Sequence, residues 1–360
     1  MSVARTLPLA DLLDEAGLTG RGGGAFPTGA KLRAARSSHA ELVVNACDGE
    51  PGSLKDAWVV REHLAELVHW AGLLADGAPV RFAAHRGSAT LAGLRAAGLP
   101  TLEVPPRYVS SQESALVSLA AGGLARPMTA RVPIVFGGRD GSGRAVTPTL
   151  VVNAETTWRV AQVSERGPAW FRSHGTPDEP GPRLVTLTGH VPRPGVLDTA
   201  AGIALADLLA AGGLERDHDR PVIAGGLAGG LLTPGETQRA RWSTAGLSPF
   251  GACIGAGTIE ALDPRTCPLE LVAARVHGAA GESAGQCGPC MFGLPALARD
   301  LDAVLTRPGP SQLEALHDRL GLLPGRGACR FPDGVAALVR SALRAYGDHL
   351  AAHGAGGCRS

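Results

Sequence analysis

The run Gly20-Arg21-Gly22-Gly23-Gly24-Ala25-Phe26-Pro27-Thr28-Gly29-Ala30-Lys31, followed by Asn45-Ala46-Cys47-Asp48-Gly49-Glu50-Pro51-Gly52, organises the reading of the whole chain. Glycines let backbone N–H groups approach an anion, and a lysine closing the run adds one ammonium, so the pattern suits a phosphate. Composition sharpens the point. Of 34 Lys+Arg only two are lysines, Lys31 and Lys55, and both fall here. Asparagine occurs only at Asn45 and Asn153, and tyrosine only at Tyr108 and Tyr346. In a chain built largely from Ala, Gly and Arg, rare types at such places mark specific chemical demands; the competing reading is a flexible loop with two surface lysines. Formally, Gly20-x-Gly22-x-x-Ala25 satisfies a dinucleotide fingerprint. That fingerprint needs a preceding strand, and residues 7–16 read as a helix.

Outward from this loop the first half alternates. Residues 41–46, 80–84, 101–104 and 149–153 read as strands, and 54–74, 89–97 and 114–121 as helices. The alternation implies a parallel α/β sheet with ligands at the strand ends. Residues 166–182, rich in Gly, Pro and charge, read as a linker. A hairpin at 183–189 and 196–199, then a helix over 203–211 ending at Gly212-Gly213, indicates a small α+β unit of β-grasp type. From Pro268 four helical segments (269–277, 293–305, 311–320 and 334–353) suggest a bundle. The expected parts are therefore 1–165, 183–265 and 266–360.

A length of 360 residues with 44% hydrophobic content is ample for more than one core. Net charge is +1 and the arginines are scattered, which argues against nucleic acid as a partner. Neither a signal peptide nor an apolar run of membrane-spanning length is evident, so a soluble cytoplasmic protein is expected. The seven cysteines include Cys287-x-x-Cys290 just before a helix, with Cys329 before the last one. Thiolates so placed suit iron–sulfur or soft-metal chemistry, a zinc half-site and a thiol–disulfide pair being the alternatives. Cys253, Cys267 and Cys358 read as incidental, and His63, His69 and His85 as surface groups without partners.

Together these segments resemble the FMN- and NADH-binding flavoprotein subunit of respiratory complex I, a family also found as diaphorase subunits of soluble hydrogenases and formate dehydrogenases. The glycine loop through Lys31 is similar to its flavin motif, and residues 45–56 to its acidic loop. Tyr108-Val109-Ser110-Ser111-Gln112-Glu113 and Pro148-Thr149-Leu150-Val151-Val152-Asn153-Ala154-Glu155-Thr156 resemble two further flavin segments, and 250–257 and 282–290 the approach to its cluster. The resemblance implies a Rossmann-like flavin domain, a β-grasp domain of the soluble-ligand-binding type and a helical iron–sulfur domain. It implies hydride transfer from NAD(P)H to FMN, then single electrons through a cluster to a ferredoxin-like acceptor or another subunit, with a membrane-associated complex reached through partners. By position, Arg21, Gly22, Gly23 and Lys31 would line the FMN, with Asn45, Asp48, Tyr108, Glu113, Val151, Asn153 and Thr156. Phe26 and Glu50 would meet the nicotinamide nucleotide, Glu50 and Glu113 standing as the catalytic carboxylates. Cys287, Cys290 and Cys329 would hold the metal.

The departures matter equally. Ala284 stands where the family's first cluster cysteine falls, leaving a [3Fe–4S] cluster, a [4Fe–4S] cluster completed by Ser283 or water, or no stable cluster. Cys47, Asp48, Gln112 and Val152 replace family residues, and the aromatic ring expected after Lys31 gives way to Leu32, Arg33 and Ala34. Two further readings stay open: a flavoprotein fed by ferredoxin without an NADH site, and a non-catalytic β-grasp scaffold.

Overall fold

The computed structural model describes residues 7–129, 133–140, 142–350 and 353. Its first sheet runs β3–β2–β1–β6, all parallel, from β1 (Glu41–Asn45), β2 (Val80–His85), β3 (Thr101–Val104) and β6 (Thr149–Asn153). Between β3 and β6 lie the helix Glu113–Ala120 and a short ribbon, β4 (Gly138–Arg139) with β5 (Ala145–Val146). Leu42, Val43 and Val44 are all buried, as an apolar run covered on both faces demands. Alternate residues serve alternate faces. Leu42 and Val44 pack with Leu13, Leu32, Leu67 and Phe82, whereas Val43 packs with Ala83, Val104, Leu116 and Met128. Chain order reverses between β1 and β6, and open parallel sheets bind ligands at such a switch point.

Two expectations for this region are corrected. The segment 54–74 is two helices, Lys55–Glu62 and Leu64–Ala75, because His63 leaves helical geometry at φ −132°. The expected linker is helical in its first part: the helix Ala154–Arg172 continues across a kink where Gly167 takes φ 82° ahead of Pro168. A helix, Leu9–Ala16, does precede the glycine loop, so the dinucleotide fingerprint lacks its strand.

A second, mixed sheet runs β10–β9–β11–β7–β8. The hairpin β7 (Pro182–Gly189) and β8 (Gly195–Ala200) falls where alternation placed it, with β9 (Val222–Ala224), β10 (Gly230–Leu232) and β11 (Thr258–Ala261) completing the sheet. Its own core gathers Val185, Leu187, Leu209, Trp242 and Ile259 beneath the helix Leu205–Ala211. The helices Pro268–Glu282, Leu294–Thr306, Pro310–Leu322 and Phe331–Tyr346 then pack around Val276, Leu297, Leu301 and Leu338. Cys290 lies in a π-helical turn, Pro289–Gly293, a distortion that often accompanies function. No described helix is long and apolar enough to cross a membrane.

Candidate flavin and cluster site

Because β1 and β6 are parallel neighbours, Asn45 and Asn153 stand opposite each other at the switch point. The glycine loop closes over them as a hairpin. Gly20 N–H donates to the Phe26 carbonyl at 2.9 Å and Thr28 N–H to that of Leu18 at 2.9 Å, which delivers the chain into the helix Thr28–Ser37. Gly23 has φ +96°, and a Cβ there would lie 3.1 Å from the Gly255 carbonyl oxygen. Conformation and close approach both demand glycine. Arg21 N–H donates to Thr156 Oγ1 at 2.8 Å, and Thr156 donates to Asn153 Oδ1. Loop and strand end are thus one unit, although the Arg21 guanidinium turns inward to the Pro180 carbonyl at 2.8 Å. Phe26 is 55% exposed, an aromatic face open to a flat ligand.

Lys31 lies in the first turns of its helix, with Nζ 2.5 Å from Glu113 Oε1 and 3.0 Å from the Val151 carbonyl. The structure therefore brings Lys31, Glu113 and Val151 together, and the ammonium reaches the cleft already balanced by a carboxylate. Asn45 donates Nδ2–H to the Ser111 carbonyl at 3.0 Å and accepts from Cys47 N–H at 3.1 Å. Asp48 is occupied locally: its carboxylate accepts from Ser53 Oγ and from the Asp56 and Ala57 amides, capping the helix Lys55–Glu62. Burial, reinforced by Asp56 and Asp48, pushes the Cys47 thiol well up, which keeps it a protonated core group.

Beneath the loop lies a buried ionic network. Lys55 Nζ donates to Glu155 Oε2 at 2.7 Å and to the Arg21 carbonyl at 2.5 Å, while Leu184 N–H donates to Glu155 Oε1 at 2.6 Å. Burial alone would push Lys55 down and Glu155 up. Their mutual attraction, helped by Asp56 on one side and by Arg159 and Arg21 on the other, wins: Lys55 is raised and Glu155 lowered. Asp56 accepts from Asn153 Nδ2 at 3.1 Å and from Glu155 N–H at 2.9 Å. Burial raises it to about 7 against the pull of Lys55.

Glu50, 8% exposed, bridges the loops beside the first sheet to the second sheet. Its carboxylate accepts from Tyr108 Oη–H at 2.8 Å and from Leu227 N–H at 2.6 Å. Burial pushes its pKa up despite both donors. Tyr108 in turn packs its ring on Phe331, centroids 4.6 Å apart, two residues beyond Cys329. Burial and the nearby Glu50 raise the phenol, with the Cys329 thiol among the groups acting on it.

Cys287, Cys290 and Cys329 converge beside this junction. Cys290 is pushed up to about 11 by burial and by the neighbouring thiols of Cys287, to which it is hydrogen-bonded, and Cys329. Cys287 is hydrogen-bonded to Cys290 and near Cys329 as well, so three thiols share one region, a donor type that suits an iron–sulfur site. The Ala284 N–H points at the Cys290 sulfur, so the alanine lies beside the thiols and brings no donor atom from its side chain. The donor types at these strand ends, a glycine loop and the Lys31 ammonium, suit a flavin phosphate ester, while the Asn45 and Asn153 carboxamides are engaged with Ser111, Cys47, Asp56 and Thr156.

Sequence comparison agrees with this division. The family model described as the Nuo51 FMN-binding domain matches residues 13–81, and that of the NADH-ubiquinone oxidoreductase-F iron-sulfur binding region matches 270–353. The NADH-quinone oxidoreductase F subunit of Mycobacterium tuberculosis (strain ATCC 25618 / H37Rv) is 30% identical over 98% of this chain and 87% of its own length. The chain belongs to the family of NADH-quinone oxidoreductase F subunits. A second such protein, the F 2 form from Rhizobium meliloti (strain 1021), is 28% identical, covering 96% of this chain and 88% of that protein. The crystal structure of an NAD+-reducing [NiFe]-hydrogenase in the air-oxidized state superposes with a TM-score of 0.83 at 29% identity over 96% of this chain; the chain spans 62% of that hydrogenase chain.

In this member of the family, sequence reasoning missed the role of Lys55, Asp56 and Glu155, although Lys55 being one of only two lysines was a usable signal. His63 is also not the unpartnered surface group expected. It stacks on Trp158 with centroids 4.3 Å apart, at the edge of a cavity of about 570 Å³ that Trp58 and Trp170 also line. Cys267, expected to be incidental, meets the His353 imidazole. Cys358 lies outside the described residues.

Proposed function

We propose that this chain is an FMN-dependent NADH-oxidising electron-transfer subunit that passes single electrons to a partner subunit or ferredoxin-like acceptor. The observation that carries the reading is Tyr108, which touches the buried Glu50 on one side and Phe331, two residues beyond Cys329, on the other. The glycine loop, Lys31, Asn45, Asn153 and Thr156 would hold the flavin; Phe26 and Glu50 would meet the nicotinamide nucleotide; Cys287, Cys290 and Cys329 would hold the cluster. When bound, flavin and cluster together convert a two-electron hydride into single electrons. The chain's own residues do the rest. Lys55 and Thr156 fix the loop from below, and Glu113 holds the Lys31 ammonium in position. Tyr108 and Leu227 donate to Glu50, so this buried carboxylate keeps one orientation and an elevated proton affinity near the expected nucleotide. The separate sheets and cores support parts at 1–165, 183–265 and 266–360, and the hairpin-and-helix layout of the second sheet supports its β-grasp assignment.

An anaerobic absorption spectrum with iron assay, before and after NADH, tests this. Flavin and iron–sulfur absorbance bleached by NADH is expected, with flavin content falling at least about tenfold in Lys31→Ala if the ammonium contributes a charge-assisted bond. Flavin that stays oxidised would favour the ferredoxin-fed reading, and a protein without flavin or iron the scaffold.

A further inference from the structure

At the end of the helical unit remote from the cluster thiols, a second sulfur–imidazole group comes together. Cys267 immediately precedes the helix Pro268–Glu282. His349 ends the short turn Gly347–His349 after the helix Phe331–Tyr346, and His353 follows four residues later. One ligand atom from each of the three lies within 4.8 Å of the others. The Cys267 sulfur is 3.2 Å from His353 Nε2, and Cys267 itself is 4% exposed. A tetrahedral zinc ion with ordinary bond lengths would set S···N near about 3.5 Å and N···N near about 3.4 Å. The observed S···N edge of 3.2 Å is within about 0.3 Å of that figure, and the other two edges are no longer than 4.8 Å. Cys267 and His353 are in hydrogen-bond contact, and the His349 and His353 rings meet edge to face with centroids 5.5 Å apart, so all three groups are already assembled.

We propose that Cys267, His349 and His353 bind one Zn²⁺, with water in the fourth position. Binding releases the Cys267 thiol proton to solvent and uses neutral imidazoles, and zinc itself undergoes no redox change. The placement indicates what the ion does. The helix Pro268–Glu282 leads into Cys287 and Cys290, and the helix Phe331–Tyr346 follows directly on Cys329. At 1.5 Å per residue the first of these is about 22 Å long. The zinc therefore fastens the far ends of the two helices whose near ends present the cluster thiols.

The test uses the full chain, cluster-loaded and anaerobic, incubated with about two molar equivalents of ZnCl₂ and desalted through a weak chelator. Zinc and iron are then counted by mass spectrometry. About one zinc per chain is expected in the wild type, with a fall of at least about fivefold in His349→Gln and His353→Gln at unchanged iron. A strong chelator should lower the melting temperature of the wild type and leave that of His353→Gln unmoved. A wild type that retains no zinc overturns the proposal and leaves a hydrogen bond. Equal zinc in wild type and His353→Gln overturns it equally, placing the ion on the cluster thiols. Both histidines are only half-buried, so the glutamine variants should fold where a change at Cys267 need not.

Discussion

Glu155→Gln is the sharpest test of how the glycine loop is held. Glu155 is 1% exposed and meets two donors, Lys55 Nζ at 2.7 Å and Leu184 N–H at 2.6 Å. A glutamine has one acceptor and one donor end. If its oxygen faces Leu184, its NH₂ faces the Lys55 ammonium; if reversed, the Leu184 amide loses its acceptor. Removing one member of a buried ion pair typically costs about 3–5 kcal/mol, a third or more of an ordinary folding free energy of about 5–15 kcal/mol. Urea unfolding should show that loss. Because Glu155 lies below its ordinary value, its contribution is present above an unfolded pKa of about 4.3 and lost as pH falls through its folded pKa. The deficit of the variant should therefore be largest at neutral pH and shrink towards the wild type in acid. The double variant Lys55→Met/Glu155→Leu removes both charges and should recover much of the stability. It should nonetheless bind flavin about tenfold more weakly, since the Arg21 carbonyl loses its 2.5 Å bond from Lys55. A Glu155→Gln protein within about 1 kcal/mol of wild type at neutral pH would refute the account of this network.

Tyr108→Phe deletes the hydroxyl that donates to Glu50 and leaves the carboxylate with Leu227 N–H alone. A bond to a charged group contributes about 1.5–3 kcal/mol, so the ionised form weakens and the Glu50-dependent limb of the pH profile of NADH oxidation should move up by about 1–2 units; an unmoved profile would count against Glu50 as the titrating group. Gly226→Ala would put a Cβ 2.3 Å from the Glu50 carboxyl carbon at a position with φ +74°. Turnover should fall at least about tenfold with a melting temperature lowered by several degrees, roughly 1–3 kcal/mol of overpacking and strain, and wild-type kinetics would show that Glu50 needs no such fixed seat. Ala284→Cys supplies a thiol beside Cys290, and bound iron should rise towards about four per chain and resist chelation; unchanged iron would mean that the three cysteines are not a cluster site.

Much of this was legible in the residues. Strands at 101–104 and 149–153 coincide with Thr101–Val104 and Thr149–Asn153, because short β-branched runs between turn residues leave little choice. The rarity of Asn45 and Asn153 pointed to two positions that the parallel register of β1 and β6 then sets opposite each other. What failed was long-range pairing. Nothing local tells that Lys55 turns into the core towards Glu155, a hundred residues away, or that Cys267 meets His353. Similarly, Gly167-Pro168 read as a linker because both residues punctuate loops, yet a positive φ at the glycine lets a helix resume at the proline.

Several hydrogen bonds fasten the parts of the chain to one another near Cys287 and Cys290. Tyr108 N–H donates to Glu282 at 3.1 Å, Gln286 reaches the Pro127 carbonyl, and Leu231 N–H donates to Ser341 at 2.8 Å. These bonds lock the helical unit to both sheets on either side of the cluster thiols. Ala284 lies within that locked segment, its own N–H engaged by Cys290. After Lys31, Leu32 is buried in the core and Arg33 pairs with Asp11 at 3.0 Å. The helix keeps its seat and Lys31 keeps its reach into the cleft. The residues at both sites are therefore held by contacts within the chain itself, so each site is fixed in shape before any ligand arrives.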